Sequence, residues 1–322
     1  MSSDRVSVKD LCDGVPVDQA FRVADKQLRV NRQGSKYILL RLEDKTGIIA
    51  AMMWNVDERV FESFDRLDFV VCRGRTQIHN GSLQMIVTAV ERIDPSRVDL
   101  ADFERFDSQK ANQLFGQLSS MLRGVKDPAL RAIGEAFLAD SDFVQALQRA
   151  PAAVSHHHAF PGGLLQHTVD LMELVKIVAP RYTQLDGDLL LYGAFLHDLG
   201  KIKELSSSGE TTYTDQGQLV GHIVIGVQML NEKICDVSQR HPKLVEDSLK
   251  HQLEHLIVSH HGSMEYGSPR LPATLEALVL HHLDNLDAKL ASYINVIDTD
   301  ISVDGNWTNY NSGIGLRPMP EL

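Results

Sequence analysis

The sequence predicts a multidomain α+β protein, a small all-β domain followed by an all-α helical bundle. Three observations carry this expectation. Residues 15–95 consist of short apolar or alternating runs separated by turn signals. Beyond residue 96 the apolar residues recur at i, i+3, i+4 and i+7, the spacing of helices with one packed face. Composition shifts between the same two regions. Of 32 Lys+Arg and 43 Asp+Glu, 14 of each fall within residues 1–95, so the remainder carries the entire net charge of −11. Histidine is as uneven, with 13 of 14 beyond residue 150. The expected divisions are a β domain over 1–95, a helical linker region over 96–150, a helical domain over 151–298 and an irregular tail over 299–322.

A chain of 322 residues with 43% hydrophobic and 23% charged content reads as an ordinary globular protein with room for two domains. No apolar run approaches the roughly 18 residues of a membrane span, and MSSDRVSVKD has no signal-peptide core. Cys12, Cys72 and Cys235 form no CxxC, which argues against a zinc-thiolate site. A cytoplasmic protein without a membrane partner is expected. The acidic balance disfavours a polyanion ligand unless bound cations supply local positive charge.

In order, residues 19–30 and 36–42 read as strands, and the turn Asp44-Lys-Thr-Gly47 leads into a third over 48–54. A short helix over 57–64 comes next, then strands over 69–75 and 83–90 about the hairpin signal Asn80-Gly81. Five strands with a helix between the third and fourth is the plan of an OB-fold, a barrel whose face binds oligonucleotides. Another small barrel used for packing or oligomerisation is the alternative. The candidate substrate face carries Arg22, Lys26, Arg29, Arg32, Arg41, Arg73 and Arg75 for phosphates and Trp54 for base stacking. A Trp at the end of a strand is more often core or domain interface than platform, and that is the alternative for Trp54. Helical stripes continue at Leu114, Leu118, Met121 and Leu122 and at Leu130, Ile133, Phe137 and Leu138, with Asp140 as a helix cap.

The helical domain is organised around LLLYGAFLHDLGK at 189–201. Leu189, Tyr192, Gly193 and Leu196 form a buried stripe that delivers His197 and Asp198 at a helix end. A buried charge is costly unless paired or bound to a metal, and His with Asp is a natural divalent-metal seat. Other segments offer the same chemistry: His167 after a glycine pair, His222 after Gly221, the doublet His260-His261, and the run from His281 to Asp287 containing Asp284. Singly, each histidine reads as a core or surface residue, and His241, His251 and His255 stay so. Lys201, one turn beyond Asp198, reads as a phosphate-neutralising group or as a solvated lysine.

In order, the set H…HD…H…HH…D resembles the HD-domain phosphohydrolases of the bimetallic kind. That resemblance implies one metal held by His167, His197, Asp198 and Asp284. A second would be held by His222, His260 and His261, with Asp198 bridging. Two cations clamping a phosphoryl group supply the nucleophile from water. LEDKTG at 42–47, RAPAA at 149–153, HHAFPGGLLQHT at 157–168, YGSP at 266–269 and HLDNLDAK at 282–289 further resemble the YhaM-type 3′→5′ exoribonucleases. The resemblance implies two divalent ions, manganese favoured with iron, cobalt, nickel or magnesium as alternatives. It also implies single-stranded RNA or DNA as substrate, 5′-mononucleotide products and a homo-oligomer. Asp198 and Lys201 would be catalytic, and His157 and His158 phosphate-binding or ligand-supporting. Two other readings remain: a phosphodiesterase on cyclic or short nucleotides, and a nucleic-acid-binding module with a structural metal.

Overall fold

A computed structural model describes residues 5–31, 34–79, 82–103, 106–154, 160–206, 211–299, 307, 308, 310 and 314–319. It divides into two compact units, residues 1–105 with 299–322, and residues 106–298.

The first unit is a five-stranded closed barrel in the order β1-β2-β3-β5-β4. Its strands are β1 (Pro16–Val30), β2 (Lys36–Asp44), β3 (Gly47–Trp54), β4 (Phe69–His79) and β5 (Ser82–Ile93). Helix α1 (Glu58–Glu62) lies between β3 and β4 in the chain, capped by the Asp57 carboxylate, which accepts from the Arg59 amide. Neighbouring strands run antiparallel except β3 and β5, whose parallel pairing closes the barrel. Phe21, Val23, Ile38, Leu40, Leu42, Val70, Cys72 and Met85 alternate inward and fill it. β4 and β5 pair from Phe69–Ile93 to His79–Ser82. The Asn80-Gly81 turn between them lies outside the described residues. The most deeply buried charge among the described residues here is Asp44, which accepts from the Val8 amide (2.9 Å), the Thr46 amide (2.7 Å) and hydroxyl (2.6 Å), and Arg5 (3.2 Å). That carboxylate ties the chain before the barrel to the β2–β3 turn.

The second unit is helical: α2 (Ser108–Arg123), α3 (Pro128–Leu138), α4 (Ser141–Arg149), α5 (Gly163–Val178), α6 (Gly187–Leu196), α7 (Lys201–Glu204), α8 (Asp215–Val220), α9 (His222–Arg240), α10 (Asp247–Ser259) and α11 (Leu275–Thr299). A two-residue hairpin, β6 (Leu205–Ser206) with β7 (Thr212–Tyr213), sits between α7 and α8 in the chain. Aspartates start several helices. Asp107, Asp127, Asp140 and Asp186 each accept from first-turn amides, and Pro128 takes the position where a missing N–H costs nothing. The stripes of α2–α4 (Leu118, Leu122, Leu130, Ile133, Phe137 and Leu147) join the core that holds Leu190, Phe195, Leu253 and Leu256. α6 lies within that core. Every residue from Leu189 to Leu196 is buried, so the expected one-sided stripe is a helix enclosed all round, as an apolar helix must be. Among the described residues, no helix is long and apolar enough to cross a membrane.

Candidate metal centre and barrel face

Enclosing α6 fixes the two residues just beyond its end. His197 is the C-cap of α6 and Asp198 its neighbour, 0% and 4% exposed. Four other segments bring imidazole and carboxylate to this pair. His167 comes from the second turn of α5, His222 begins α9, His260 and His261 end α10, and Asp284 projects from α11. His167 Nε2 lies 3.2 Å from both His197 Nε2 and Asp284 Oδ1, and His197 Nε2 lies 3.3 Å from Asp198 Oδ2. On the other side of the same carboxylate, Asp198 Oδ1 lies 3.5 Å from His222 Nε2 and 3.7 Å from His260 Nε2. Two clusters result: His167, His197 and Asp284, and His222, His260 and His261, each with ligand atoms within 4.8 Å of one another. Asp198 offers one oxygen to each.

The imidazoles are aimed. His197 Nδ1 donates to Ala194 O (2.9 Å), His260 Nδ1 to Ile257 O (2.7 Å) and His261 Nδ1 to Tyr266 O (2.7 Å). A carbonyl only accepts, so those rings carry their proton on Nδ1 and turn the Nε2 lone pair inward. His167 and His222 meet carboxylates instead, Nδ1 to Asp287 Oδ2 at 2.8 Å and to Glu204 Oε1 at 3.0 Å. Metal-binding imidazoles are held in this way, by an acceptor on the far nitrogen.

The charge states of Asp198, Asp284, His260 and His261 agree with that use. Burial pushes the Asp198 carboxyl up, but the Lys201 ammonium, 2.6 Å from Oδ2, and the neighbouring imidazoles hold it well below the usual carboxylate range. Asp284 is likewise held down, against burial, by His167 and His197. Burial pushes the His260 and His261 imidazoles down, so both stay neutral. His167 runs the other way. Burial opposes its charge, yet bonds to Asp284 and Asp287 raise it to about 10. Three buried atoms in the middle, Asp198 Oδ1, His222 Nε2 and His260 Nε2, have no hydrogen-bond partner among the described residues. Orphaned acceptors at the centre of such a cluster call for a cation. The donor set, imidazole and carboxylate without thiolate, fits a hard or borderline divalent ion.

Gly200 explains the spacing of the HDLGK run. A Cβ there would fall 1.9 Å from His222 O, so only glycine lets the start of α9 approach the Asp198 turn.

On the barrel, β1, β2 and β3 form rows across the outer face. Arg29, Tyr37 and Trp54 are register partners, as are Gln27, Leu39 and Met52, and Asp25, Arg41 and Ala50. Trp54 is 45% exposed and its ring packs 4.9 Å from Tyr37. A groove of about 240 Å³ runs over Gln27, Arg29, Leu39, Arg41, Met52 and Gln84. Arg29 donates to Gln27 Oε1 (2.8 Å), and Arg22, Lys26, Arg73 and Arg75 are engaged as well. Arg22 is paired with Glu43 (2.6 Å), Arg73 with Asp18 (3.1 Å), and Arg75 donates to Gly14 O (2.7 Å). Lys26 is largely buried, donating to the Phe61 and Phe64 carbonyls and to Asp65, and so holds the end of α1. His157, His158 and Arg32 lie outside the described residues. Sequence reasoning did not find Glu204. Its signal was an acidic residue three beyond Lys201, legible only once the partner is known.

Together these features define an HD domain carrying a candidate metal centre, with an OB-fold in the same chain. Family models agree. The OB-fold nucleic acid binding domain matches residues 21–93, and the HD domain residues 164–289. The 3'-5' exoribonuclease YhaM of Bacillus subtilis is 33% identical over 278 residues, 86% of each chain. The proteins of the same name from Bacillus velezensis and Shouchella clausii are 32% and 35% identical, over 86% of this chain and 86% and 83% of theirs. The chain belongs to the YhaM 3'-5' exoribonuclease family.

Proposed function

We propose that the protein is a metal-dependent 3′→5′ exonuclease that hydrolyses single-stranded RNA, and single-stranded DNA as well, to 5′-mononucleotides. The single observation that carries the reading is the carboxylate of Asp198, whose two oxygens face two separate clusters of inward-turned ligands. His167, His197, Asp198 and Asp284 would hold one divalent ion, and His222, His260 and His261 with Asp198 a second, manganese being favoured. When bound, such a pair supplies Lewis acidity and an activated water for in-line attack at phosphorus.

The chain's own residues do the rest. Lys201 carries a full positive charge: burial opposes it, but Asp198 outweighs burial and raises its pKa. That charge, on Nζ 2.6 Å from Asp198, is placed to offset charge building on a non-bridging phosphate oxygen. Enclosure of His197, Asp198 and His260 keeps bulk water from the ligand set. On the barrel, Tyr37 and Trp54 give stacking surface, and Arg29 and Arg41 meet phosphates along the groove. Arg22, Lys26, Arg73 and Arg75, being engaged, shape this face more than they reach the strand. The exposed Leu278, Leu286, Leu290 and Ile294 of α11 favour a homo-oligomer, and the free thiols of Cys12, Cys72 and Cys235 a reducing cytoplasm.

The test is a time course with manganese on a 5′-labelled single-stranded RNA beside a cyclic dinucleotide. A ladder shortening from the 3′ end supports the proposal. Intact RNA with a hydrolysed cyclic dinucleotide overturns it in favour of a small-nucleotide phosphodiesterase. No reaction in any divalent metal overturns it in favour of a binding module.

A further inference from the structure

The two ligand clusters share a feature that the ligands alone do not require: each has one imidazole backed by a carboxylate. His167 has Asp287, on the same helix as Asp284. His222 has Glu204, which is 7% exposed. We propose that Glu204 is a positioning residue for the second ion, fixing His222 with Nε2 toward Asp198 and strengthening it as a ligand. This rests on the two-ion reading above.

The geometry is specific. Glu204 Oε1 accepts from the His222 ring at Nδ1 (3.0 Å) and from the His222 backbone amide (2.9 Å). One oxygen thus fixes both the start of α9 and the rotation of its first side chain. The backbone cooperates. Gly221, just before His222, has φ 77° and ψ 154°, a conformation essentially confined to glycine, and it turns the amide and the ring to the same side. Glu204 is itself fixed: its carbonyl accepts from the Thr214 amide (2.9 Å). Lys201 and Glu204 stand at opposite ends of α7, so this single turn serves both clusters. Lys201 meets Asp198 Oδ2, the oxygen that faces His197, and Glu204 meets the ring that faces Asp198 Oδ1.

A rival role is a helix cap for α9 alone. A cap needs only an oxygen near the His222 amide, and glutamine supplies one; it does not supply the charge that raises the basicity of a ligand imidazole. Glu204→Gln therefore separates the two roles. The measurement is calorimetric titration of the metal-free full chain with Mn²⁺, with its melting temperature recorded alongside. The wild type is expected to bind two ions. In Glu204→Gln the second step weakens by about 10-fold and in Glu204→Ala by up to about 100-fold, the range for outer partners of metal ligands. The first step stays within about twofold, and the metal-free Glu204→Gln protein melts as the wild type does. Two steps in the wild type with no change in Glu204→Gln, or equal weakening of both steps, would overturn the positioning role while leaving the two-ion reading intact. A single step in the wild type would overturn both.

Discussion

Two of the buried carboxylates, Asp44 and Asp198, look alike in sequence and behave oppositely. Asp44, in the barrel unit, is 2% exposed and is surrounded by donors: two backbone amides, a hydroxyl and a guanidinium. Asp198, in the helical unit, is 4% exposed and has Lys201 on one oxygen and an orphan on the other. The first is a finished joint. The second is a socket: His222 and His260 turn lone pairs toward its open oxygen, where Asp44's neighbours turn hydrogens. Burial therefore does not distinguish a structural charge from a functional one; the sign of the groups facing it does.

The comparison is broken most decisively at Asp198. Asp198→Ala is expected to lower RNA hydrolysis by about 10³-fold or more, the effect of losing several kcal/mol of charge stabilisation. Its melting temperature should fall, because the substitution leaves the Lys201 ammonium buried without the carboxylate that lies 2.6 Å from it. A folded variant that keeps the wild-type rate and metal content would mean Asp198 is a structural residue like Asp44. Next in size, Lys201→Ala is expected to slow turnover by about 10²–10³-fold with metal content retained, read by single-turnover kinetics beside metal analysis. Loss of the metal would instead make Lys201 a support for the ligand set.

Asp44→Asn tests the other side. It should cost the barrel about 1.5–3 kcal/mol, the worth of hydrogen bonds to a charged group, and leave metal content unchanged. Burial raises the Asp44 carboxyl, but its bonds to Thr46, Val8 and Arg5 outweigh burial and lower it. A depressed folded pKa gives stability that is present above the unfolded carboxylate value and lost as pH falls through the folded one. Acid unfolding of the barrel should accordingly become less steep in Asp44→Asn, which circular dichroism across that range would show. The smallest effect is expected at Trp54. Trp54→Ala should weaken binding of long single strands by about 1–3 kcal/mol and leave cleavage of dinucleotides unaltered. Equal loss on both substrates would remove the stacking role.

The legible and illegible parts of the sequence divide along the same line. Local signals were enough where the physics is local. Alternation and turn residues placed the five strands, and Asp140 was readable as a cap because the amides it accepts from belong to its own next residues. The clustered histidines are readable only as a set, because the order H…HD…H…HH…D is uncommon while each one singly reads as core or surface. Long-range destinations were not readable. Lys26 looks like a phosphate contact in a basic run, yet it turns under α1 to the Phe61 and Phe64 carbonyls, a partner set that exists only once the helix is folded onto the strand. Glu204 is not singled out by the sequence, because its partner lies 18 residues on and is brought back by the turn at Gly221. α6 reads as a one-sided helix, since periodicity reports its best-packed face and not how many neighbours enclose it.

The most direct measurement is the metal content of the full chain saturated with Mn²⁺, comparing wild type, Asp198→Ala and Asp44→Asn. Two ions per chain in wild type and in Asp44→Asn, with at least one lost in Asp198→Ala, is the predicted result. Both ions retained in Asp198→Ala, or a single ion in wild type, would contradict a centre shared across the two oxygens of Asp198.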